Sequence, residues 1–391
     1  MNMKVVLYST IHFTDSDFPL VKGLQNHNVK VLFFINNTDD NKTGGFLDLR
    51  EDNIPLGISK ADSYKAFQLY RDYFDISNIY IVNRERKSFS IRNVIIYLSL
   101  IWKIIKFNPN IVHTMCILGL VESMLYIFKQ KMLLTVHDPF MHSGEYQKSS
   151  ENKRRFAFKM IKNFILLNKS QKKDFIDYYK LQNKSIFISQ IGICDCLNYL
   201  AKDNKESSTD YILQFGHVSP YKGIDVLCEA MELVHKKNPK IKCIIAGNGP
   251  YYFDKSIYEN KGYITFINRY ITTKELATLI NNARFTICPY RDATQSGVVF
   301  SSFALGKPVI ATNVGSLGET VKDGITGVLV ETCDSKCIAK AILDLYDSES
   351  TIDSMSKNIL NIYHNGKNSR LNIANNTINI YNTIKNNIRC K

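Results

Sequence analysis

Short apolar runs rich in Val and Ile alternate along the chain with longer segments in which apolar residues recur every three or four positions. The short runs predict buried strands and the longer segments predict helices, because side chains repeat differently in the two structures. Regular alternation of the two is typical of α/β proteins with parallel sheets. In the first half, strands are predicted at residues 4–9, 29–35, 79–82, 111–113, 131–136, 164–167 and 185–189, and helices at 18–26, 94–106 and 118–129.

A polar, strand-free segment at residues 203–208 interrupts this alternation and is a candidate linker. The alternation then restarts, and the tail from about residue 350 is again helical in pattern but rich in Asn. Further strands are predicted at 211–215, 241–246, 264–266, 285–288, 308–312 and 327–330, and helices at 223–237, 273–281, 298–305 and 337–346. These patterns predict domains at 1–200 and 201–370 and a closing helix at 371–391, for which packing back on the first domain is one possibility.

Composition narrows the class of protein. The chain has 391 residues, of which 45% are hydrophobic and 22% charged, as in globular proteins with a large core. Its nine cysteines include no C-x-x-C pair, which favours reduced thiols and a cytoplasmic protein over a disulfide framework or a zinc site. The chain starts without a signal-peptide pattern, and its longest apolar stretch, 94–105, is broken by Lys103 and is too short to span a bilayer.

The charge of the chain is uneven. The net charge is +14, and residues 148–184 hold 11 Lys and Arg against three acidic residues, a local excess of +8. Such a segment suits an anionic partner, either an acidic membrane surface or a phosphate-bearing lipid or nucleic acid, although a solvated charged helix face has the same composition.

Two loops are predicted to bind an anion. After the strand that ends near Tyr290, a short polar loop leads to Gly297, which opens an apolar helix whose free N–H groups and dipole favour an anion such as a diphosphate. In the other loop, Lys222 and Gly223 stand between a strand and a helix, where a lysine is placed to neutralise phosphate. The turn at residues 247–249 resembles part of a dinucleotide fingerprint but lacks its third glycine.

Taken together, five colinear motifs resemble the retaining glycosyltransferases of family 4. They are LLTVHDPFMHSGE at 133–145, FGHVSPYKGIDVL at 215–227, IIAGNGP at 244–250, FINRYI at 266–271 and the block from CPYRDATQSGVVF to GVLV at 288–330. The resemblance implies the GT-B fold, in which two Rossmann-like α/β domains with parallel sheets face an inter-domain cleft. It also implies that the C-terminal domain binds a nucleoside-diphosphate sugar, that no separate cofactor is used, and that no metal is required.

The same resemblance implies roles for individual residues. Lys222 matches the lysine on the donor diphosphate, the backbone around Gly297 would bind the same group, and Tyr270 would lie against the nucleobase. In the N-terminal half, His137 and Asp138 match the family's position next to the transferred sugar. The implied catalytic residues are His137, Asp138 and Lys222, and the implied donor-binding residues are Gly216, His217, Lys222, Tyr270, Thr294, Gln295, Ser296, Gly297, Val298 and Ser302.

Three positions depart from the family pattern. Thr294 and Ser302 stand where the family has two glutamates, so neutral hydroxyls would replace carboxylates on the donor. His217 stands where an arginine is usual. Asp292 or Glu319 could supply the missing charge, and the residues alone leave the choice open.

The resemblance implies transfer of a hexosyl group to a glycan or lipid-linked acceptor with retention of configuration. It also implies a role in surface polysaccharide synthesis for a cytoplasmic enzyme. One hypothesis places that enzyme at the inner face of the membrane as a peripheral protein. No carboxylate is placed as a nucleophile, which fits front-face attack. The acidic pattern Asp15-Ser16-Asp17 is better explained as a helix start than as a metal site. Two alternatives stay open: a sugar-nucleotide epimerase or hydrolase, and a non-catalytic basic anion-binding protein, for which no nucleic-acid-binding motif is found.

Overall fold

The protein was analysed as a computed structural model that describes residues 3–87, 89–141, 146–201, 210–293 and 296–389. The chain forms two compact units. Unit 1 comprises Met1–Phe140, Tyr146–Gly192 and Arg370–Lys391, and unit 2 comprises Met141–Glu145 and Ile193–Ser369. The candidate linker at 203–208 lies outside the described residues.

Unit 1 contains an eight-stranded sheet and a short two-stranded one. The large sheet has the order β10-β9-β8-β7-β1-β2-β6-β5 and is parallel except for the edge strand β5, which pairs antiparallel with β6. The strands are β1 (Lys4–Thr10), β2 (Lys30–Thr38), β3 (Thr43–Gly44), β4 (Leu47–Asp48), β5 (Gly57–Lys60), β6 (Ile79–Arg84), β7 (Ile111–Thr114), β8 (Met132–Val136), β9 (Asn163–Leu166) and β10 (Ser185–Ile188).

Helices cover both faces of this sheet, as expected where the strands are apolar runs. They are α1 (Thr14–Asn26), α2 (Lys65–Gln68), α3 (Ile91–Phe107), α4 (Lys148–Met160) and α5 (Lys172–Tyr179), together with 3-10 turns at Ile11–Phe13, Ala61–Ser63 and Glu122–Phe128. Ser90 caps α3, accepting a hydrogen bond from the backbone N–H of Asn93 at 3.1 Å. The core joins strand residues such as Val6 and Val112 to Leu100 on α3 and Phe158 on α4.

Unit 2 contains a six-stranded, fully parallel sheet of order β13-β12-β11-β14-β15-β16. Its strands are β11 (Tyr211–Phe215), β12 (Lys242–Gly247), β13 (Ile264–Asn268), β14 (Thr286–Cys288), β15 (Val309–Thr312) and β16 (Gly327–Val330). Its helices are α6 (Cys196–Ala201), α7 (Ile224–Lys237), α8 (Ser256–Glu259), α9 (Thr273–Asn282), α10 (Gly297–Ala304), α11 (Leu317–Thr320), α12 (Ser335–Tyr346) and α13 (Glu349–Ile359), with a 3-10 turn at Pro220–Lys222 and a π turn at Leu360–His364.

The last helix, α14 (Arg370–Arg389), is part of unit 1 although it follows unit 2 in sequence. It packs along α1, where the backbone of Gly23 lies close to Arg370 and Ala374. On the same helix, the Tyr381 hydroxyl lies 2.7 Å from Nδ1 of His113, a residue of β7. The chain therefore returns to complete the unit in which it began.

Both sheets have the strand order of Rossmann folds. Numbered within unit 2, the order is 3-2-1-4-5-6, and unit 1 repeats it with additional strands at its edges. In such sheets the order reverses at one point, and ligands bind there, beyond the carboxyl ends of the strands. In unit 2 this point lies between β11 and β14, where Leu213 is the register partner of Thr286.

The predicted strands and helices are mostly confirmed to within a few residues, with a few exceptions. Instead of a helix at 118–129, the chain forms the 3-10 segment Glu122–Phe128. Strands β3, β4 and β5 were not predicted, because they are too short or too exposed to give an apolar run. The expected fold, two Rossmann-like α/β domains with parallel sheets, is confirmed, and β5 adds one antiparallel strand at the edge of unit 1's sheet.

Candidate functional site

The two predicted anion-binding loops leave the sheet of unit 2 at its reversal point. One loop follows β11 and begins at Gly216, and the other follows β14 and begins at Pro289. Because β11 and β14 are neighbours, the topology places both loops beyond the same edge of the sheet.

Lys222 is held between these loops. Its side chain belongs to the 3-10 turn Pro220–Lys222 and is 8% exposed. The Nζ atom donates a hydrogen bond to the Tyr290 hydroxyl at 3.0 Å and lies 4.7 Å from the centroid of the Tyr290 ring. The ammonium group is therefore positioned by an aromatic ring and a hydroxyl, both neutral groups, at the mouth of the sheet.

Two glycines let the loop after β11 adopt this path. Gly216 has a φ of +117°, and a Cβ there would lie 3.2 Å from Lys222 Nζ and 3.4 Å from Val298 Cγ2. Gly223 has a φ of +63° and lies so close to the Pro289 carbonyl that a Cβ would collide with it. These contacts bring Gly216, Lys222 and Val298 together, as the sequence motifs imply.

Helix α10 begins beside the same lysine. Ser296 is its N-cap residue, and its Oγ lies 3.3 Å from the Tyr290 hydroxyl that accepts from Lys222. The N–H groups of Val299 and Phe300 bond to the Ser296 carbonyl at 3.1 and 3.4 Å. At a helix start the preceding N–H groups, here those of Gly297 and Val298, lie outside the intrahelical pattern and are suited to an anion.

An ion pair connects the loop after β14 to the loop after β11 and the first turn of α7. The Arg291 guanidinium donates to both carboxylate oxygens of Asp225 at 2.8 and 2.6 Å and to the Pro220 carbonyl at 2.8 Å. The Tyr252 hydroxyl donates to the same carboxylate at 2.7 Å. Burial alone would raise the pKa of Asp225, but the hydrogen bonds from Arg291 and Tyr252 outweigh it and hold that pKa below its usual value.

The glycine-containing turn at 247–249 supports the first loop. The backbone N–H of Gly216 bonds to the Ala246 carbonyl at 2.9 Å, and that of Val218 bonds to the Asn248 carbonyl at 3.0 Å. The turn thus holds the backbone that leads to Lys222. His217 lies between these two bonds and is exposed, with its ring near Gly249. Tyr270, half-buried, follows the edge strand β13.

The predicted role of Ser302 requires correction, and two predicted residues lie outside the described part of the chain. Ser302 is 0% exposed, and its hydroxyl donates to the Val298 carbonyl at 2.8 Å and accepts from Thr286 Oγ1 at 2.8 Å. Its side chain therefore faces β14 and the core, not a ligand. Thr294 and Gln295 are not among the described residues. Asp292 and Glu319, the alternative carriers of charge, are both half-buried.

In unit 1, His137 follows directly after β8. Its imidazole is stacked on the ring of Phe13, with centroids 4.2 Å apart, and its Nε2 atom is buried with no hydrogen-bond partner among the described residues. Burial lowers the pKa of His137 to about 4, despite the opposing charge of Asp138. The Asp138 carbonyl accepts a hydrogen bond from Arg154, which fixes the backbone after the histidine.

A cavity of about 40 Å³ lies beside this imidazole, within unit 1. Its lining includes His137, Thr135 and His113 on the strands, and Thr377 on α14. His113 bonds through Nε2 to Thr135 Oγ1 and through Nδ1 to Tyr381, both at 2.7 Å. Burial, with a smaller contribution from His137, lowers the pKa of His113 to about 3.

Sequence reasoning missed several residues that position this chemistry. Tyr290 and Arg291 lie within the recognised block, but their partners Lys222 and Asp225 are more than 60 positions away. Phe13 is likewise remote from His137. Within the described ranges, no group of three or more His, Cys, Asp or Glu side chains is arranged to hold a metal ion. Asp17, of the acidic pattern at the start of α1, is fully buried, and burial raises its pKa well above the usual value.

The comparison with protein families matches residues 209–348 to the family described as Glycosyl transferases group 1. Residues 209–348 are thus similar to a group 1 glycosyl transferase domain, and this match covers little more than a third of the chain. This group 1 domain contains both loops at the sheet reversal, with Lys222, Tyr290 and the start of α10.

Curated relatives match much the same part of the chain. A D-inositol 3-phosphate glycosyltransferase from Paenarthrobacter aurescens is 30% identical over 154 residues, covering 38% of this chain and 38% of that protein. A capsular polysaccharide biosynthesis glycosyltransferase from Staphylococcus aureus is 27% identical over 162 residues, covering 40% and 42%. The chain thus matches about two fifths of the length of these relatives.

The fold is shared over the whole chain. The crystal structure of Anabaena HepE in complex with UDP-glucose has a TM-score of 0.63 and 12% identity, covering 100% of both chains. At this identity the likeness concerns the fold alone. The group 1 domain and its companion unit are thus the two Rossmann-like α/β domains of the GT-B fold, each built on a predominantly parallel sheet.

Proposed function

We propose that this protein is a glycosyltransferase that moves a hexosyl group from a nucleoside-diphosphate sugar to a glycan or lipid-linked acceptor with retention of configuration. The observation that carries the proposal is the buried ammonium of Lys222, held by Tyr290 beside the start of α10 at the reversal point of the sheet. A diphosphate is the anion that matches a lysine and a helix N-terminus placed together.

The chemistry follows from where charge develops. As the bond between the sugar and the diphosphate breaks, negative charge grows on the leaving phosphate oxygen. In our proposal, Lys222 and the N–H groups of Gly297 and Val298 stabilise that charge and need no reorganisation, since Tyr290 and Gly216 already fix their positions. This assignment gives the stabilising charge to the chain itself and leaves no step that requires a metal.

The remaining residues are proposed for less direct roles. His217, exposed beside the same loop, and the backbone of Gly216 would lie along the diphosphate, and Tyr270 against the base. His137 and Asp138 are proposed to contact the transferred sugar, on the strength of the TVHDP motif. The low pKa of His137 supports a neutral imidazole that exchanges hydrogen bonds with hydroxyls.

A role in surface polysaccharide synthesis, with the acceptor presented at an anionic membrane, is also proposed. The role in polysaccharide synthesis is supported by the similarity to the capsular polysaccharide glycosyltransferase from Staphylococcus aureus. The presentation of the acceptor at an anionic membrane is supported by the exposed lysines of residues 148–184, which include Lys153, Lys159 and Lys173. Of the phenylalanines in this segment, Phe158 and Phe164 are buried in the core and are therefore not available to contact a membrane. None of the described helices is long and apolar enough to span a bilayer.

Thermal unfolding in the presence of UDP, GDP, ADP and CDP tests the donor site. A ligand that binds the folded state raises the melting temperature, so one diphosphate is expected to give the largest shift. Lys222→Ala should abolish that shift, whereas Lys240→Ala, which removes an exposed lysine of the same unit, should leave it intact. An undiminished shift in Lys222→Ala would contradict the proposal.

Product analysis separates the proposed transfer from the alternatives. With the matching nucleoside-diphosphate sugar and a pool of glycan and lipid-linked acceptors, a transferase yields a glycosylated acceptor and free diphosphate in equal amounts. Release of free sugar regardless of acceptor would indicate a hydrolase, and an epimerised nucleotide sugar would indicate an epimerase.

A further inference from the structure

Helix α3 in unit 1 has a stripe of apolar side chains on its solvent-exposed face, opposite the side that packs in the core. The buried side of the helix is formed by Ile96, Tyr97, Leu100 and Ile104. On the opposite side, five large apolar side chains recur every three or four positions and are each 54–81% exposed: Ile91, Ile95, Leu98, Trp102 and Ile105. A surface helix of a globular protein normally carries polar residues on that side.

The surroundings of the stripe extend its apolar character. Phe89, just before the helix, is 64% exposed. Helix α3 also contacts the 3-10 segment Glu122–Phe128, on which Ile127 is exposed. Exposed apolar side chains grouped on one face of a helix mark a site of interaction.

The charges around the stripe indicate what covers it. Between Glu85 and Glu122 the chain contains five basic residues and no carboxylate. Arg92 pairs with Glu85 at 3.1 Å, Lys103 lies over the ring of Tyr80, and the Lys106 ammonium lies 5.2 Å from the centroid of the Trp102 ring. Long basic side chains that flank an apolar face, with a tryptophan among them, are typical of helices that lie in the headgroup region of an anionic bilayer.

A second copy of the chain is a poorer occupant. In a symmetric dimer the same surface faces itself, so the lysines of one α3 would meet those of the other. With no carboxylate on the helix to pair with them, such a contact would set like charges against each other in an apolar interface.

We propose that α3 docks unit 1 on an anionic membrane surface by lying parallel to the bilayer, with Ile91, Ile95, Leu98, Trp102 and Ile105 in the interfacial layer. The docking surface is separate from the basic segment 148–184. It names a surface for the membrane association proposed above and rests on that part of the proposed function, but vesicle binding requires no nucleotide or sugar, so it can fail while glycosyl transfer is observed.

Trp102 is the chain's single tryptophan and therefore reports directly on this surface. Vesicles of phosphatidylcholine mixed with phosphatidylglycerol should shift its emission to shorter wavelength and protect it from acrylamide, while vesicles of phosphatidylcholine alone should do so more weakly. An emission spectrum unchanged by the anionic vesicles would overturn the proposal.

Flotation with the same vesicles tests the stripe by substitution. The double variant Ile95→Gln/Leu98→Gln should bind at least about tenfold more weakly and melt at the wild-type temperature, because both side chains are exposed. The matched control is Ile257→Gln, which changes an isoleucine of similar exposure, 55%, in unit 2 and should bind as the wild type does.

Two further outcomes would also overturn the proposal. In the first, Lys153→Gln/Lys159→Gln/Lys173→Gln abolishes binding while the double variant binds normally, which would place the contact on the basic segment. In the second, light scattering shows a dimer that the double variant dissociates, and vesicles bind neither protein, which would make a second copy the occupant.

Discussion

The ring of Phe13 lies flat on the imidazole of His137, with the two planes within 6° of each other. The contact joins the 3-10 turn after β1 to the residue that follows β8, and it shields the imidazole from water. Removal of the Phe13 ring should therefore change the pKa of His137 while leaving the fold intact.

Phe13→Ala should raise the pKa of His137 from about 4 towards the ordinary histidine value, because water can then solvate the imidazolium. A rise of about one unit or more is expected in an NMR titration of the histidine ring protons, with the His137 signal assigned from its loss in His137→Gln. Phe89→Ala, which removes an exposed phenylalanine of the same unit, is the control. An unchanged titration midpoint would mean that Phe13 does not desolvate the imidazole.

The stability of the protein should fall as the pH is lowered from about 6.5 to 4. His113 and His137 both have folded-state pKa values far below the ordinary one, so in this range these two groups bind more protons in the unfolded chain, and the raised pKa of the single buried Asp17 offsets only part of that difference. The stabilisation by the neutral forms is present above pH 6.5 and is lost as the pH falls, at a cost of more than about 1 kcal/mol per pH unit for a fully buried histidine. Urea unfolding at pH 7 and pH 5 measures the difference, and His113→Gln should flatten the dependence. Equal free energies of unfolding at the two pH values would contradict the expectation.

Tyr290→Phe should weaken binding of the preferred diphosphate by about three- to tenfold, since the Lys222 ammonium loses the hydroxyl that orients it but remains over the ring. The loss should be smaller than for Lys222→Ala, which removes the charge itself. Isothermal titration calorimetry of both variants provides the comparison. The control is Tyr263→Phe, which changes a buried tyrosine next to β13, the edge strand of unit 2's sheet. A loss in Tyr290→Phe as large as that in Lys222→Ala would contradict the view that the hydroxyl acts only by orienting the ammonium.

The pair formed by Arg291 and Asp225 should affect both stability and donor binding. Either Arg291→Ala or Asp225→Ala should cost about 1–3 kcal/mol in the free energy of unfolding, because the bidentate pair and the Tyr252 hydrogen bond are partly buried. The double variant should lose less than the sum of the two single losses, since each single change already breaks the pair. Urea unfolding of the four proteins completes the cycle, with diphosphate affinity measured alongside. Strict additivity would show that the two residues act independently.

Much of the candidate anion site around Lys222 could be predicted from the sequence because its signals are local. A strand followed by a glycine, a lysine and a helix predicts the loop that holds Lys222, and both strands β11 and β16 were predicted at their observed bounds. The start of α10 was predicted for the same reason. The pattern does not predict that the Tyr290 hydroxyl is the partner of Lys222. These two residues are far apart in sequence and become neighbours only because β11 and β14 are adjacent in the sheet.

The failures share one physical cause: a periodic pattern shows that a face exists but not what lies against it. Every residue of α10 from Val298 to Ala304 is buried, so nothing in the pattern distinguishes the side that faces β14, where Ser302 lies. The converse holds for α3, whose apolar residues occupy both sides, so the pattern predicts the helix but does not show that one of its apolar sides is exposed.

The hydroxyl of Tyr381 on α14 completes the hydrogen-bonding of His113 in the sheet of unit 1. During translation the ribosome must therefore finish all of unit 2 before the first unit can acquire its last helix. Until then His113 lacks one of its two hydrogen-bond partners and α1 lacks the helix that packs against it, so unit 1 cannot be complete before residues 370–389 have been synthesised.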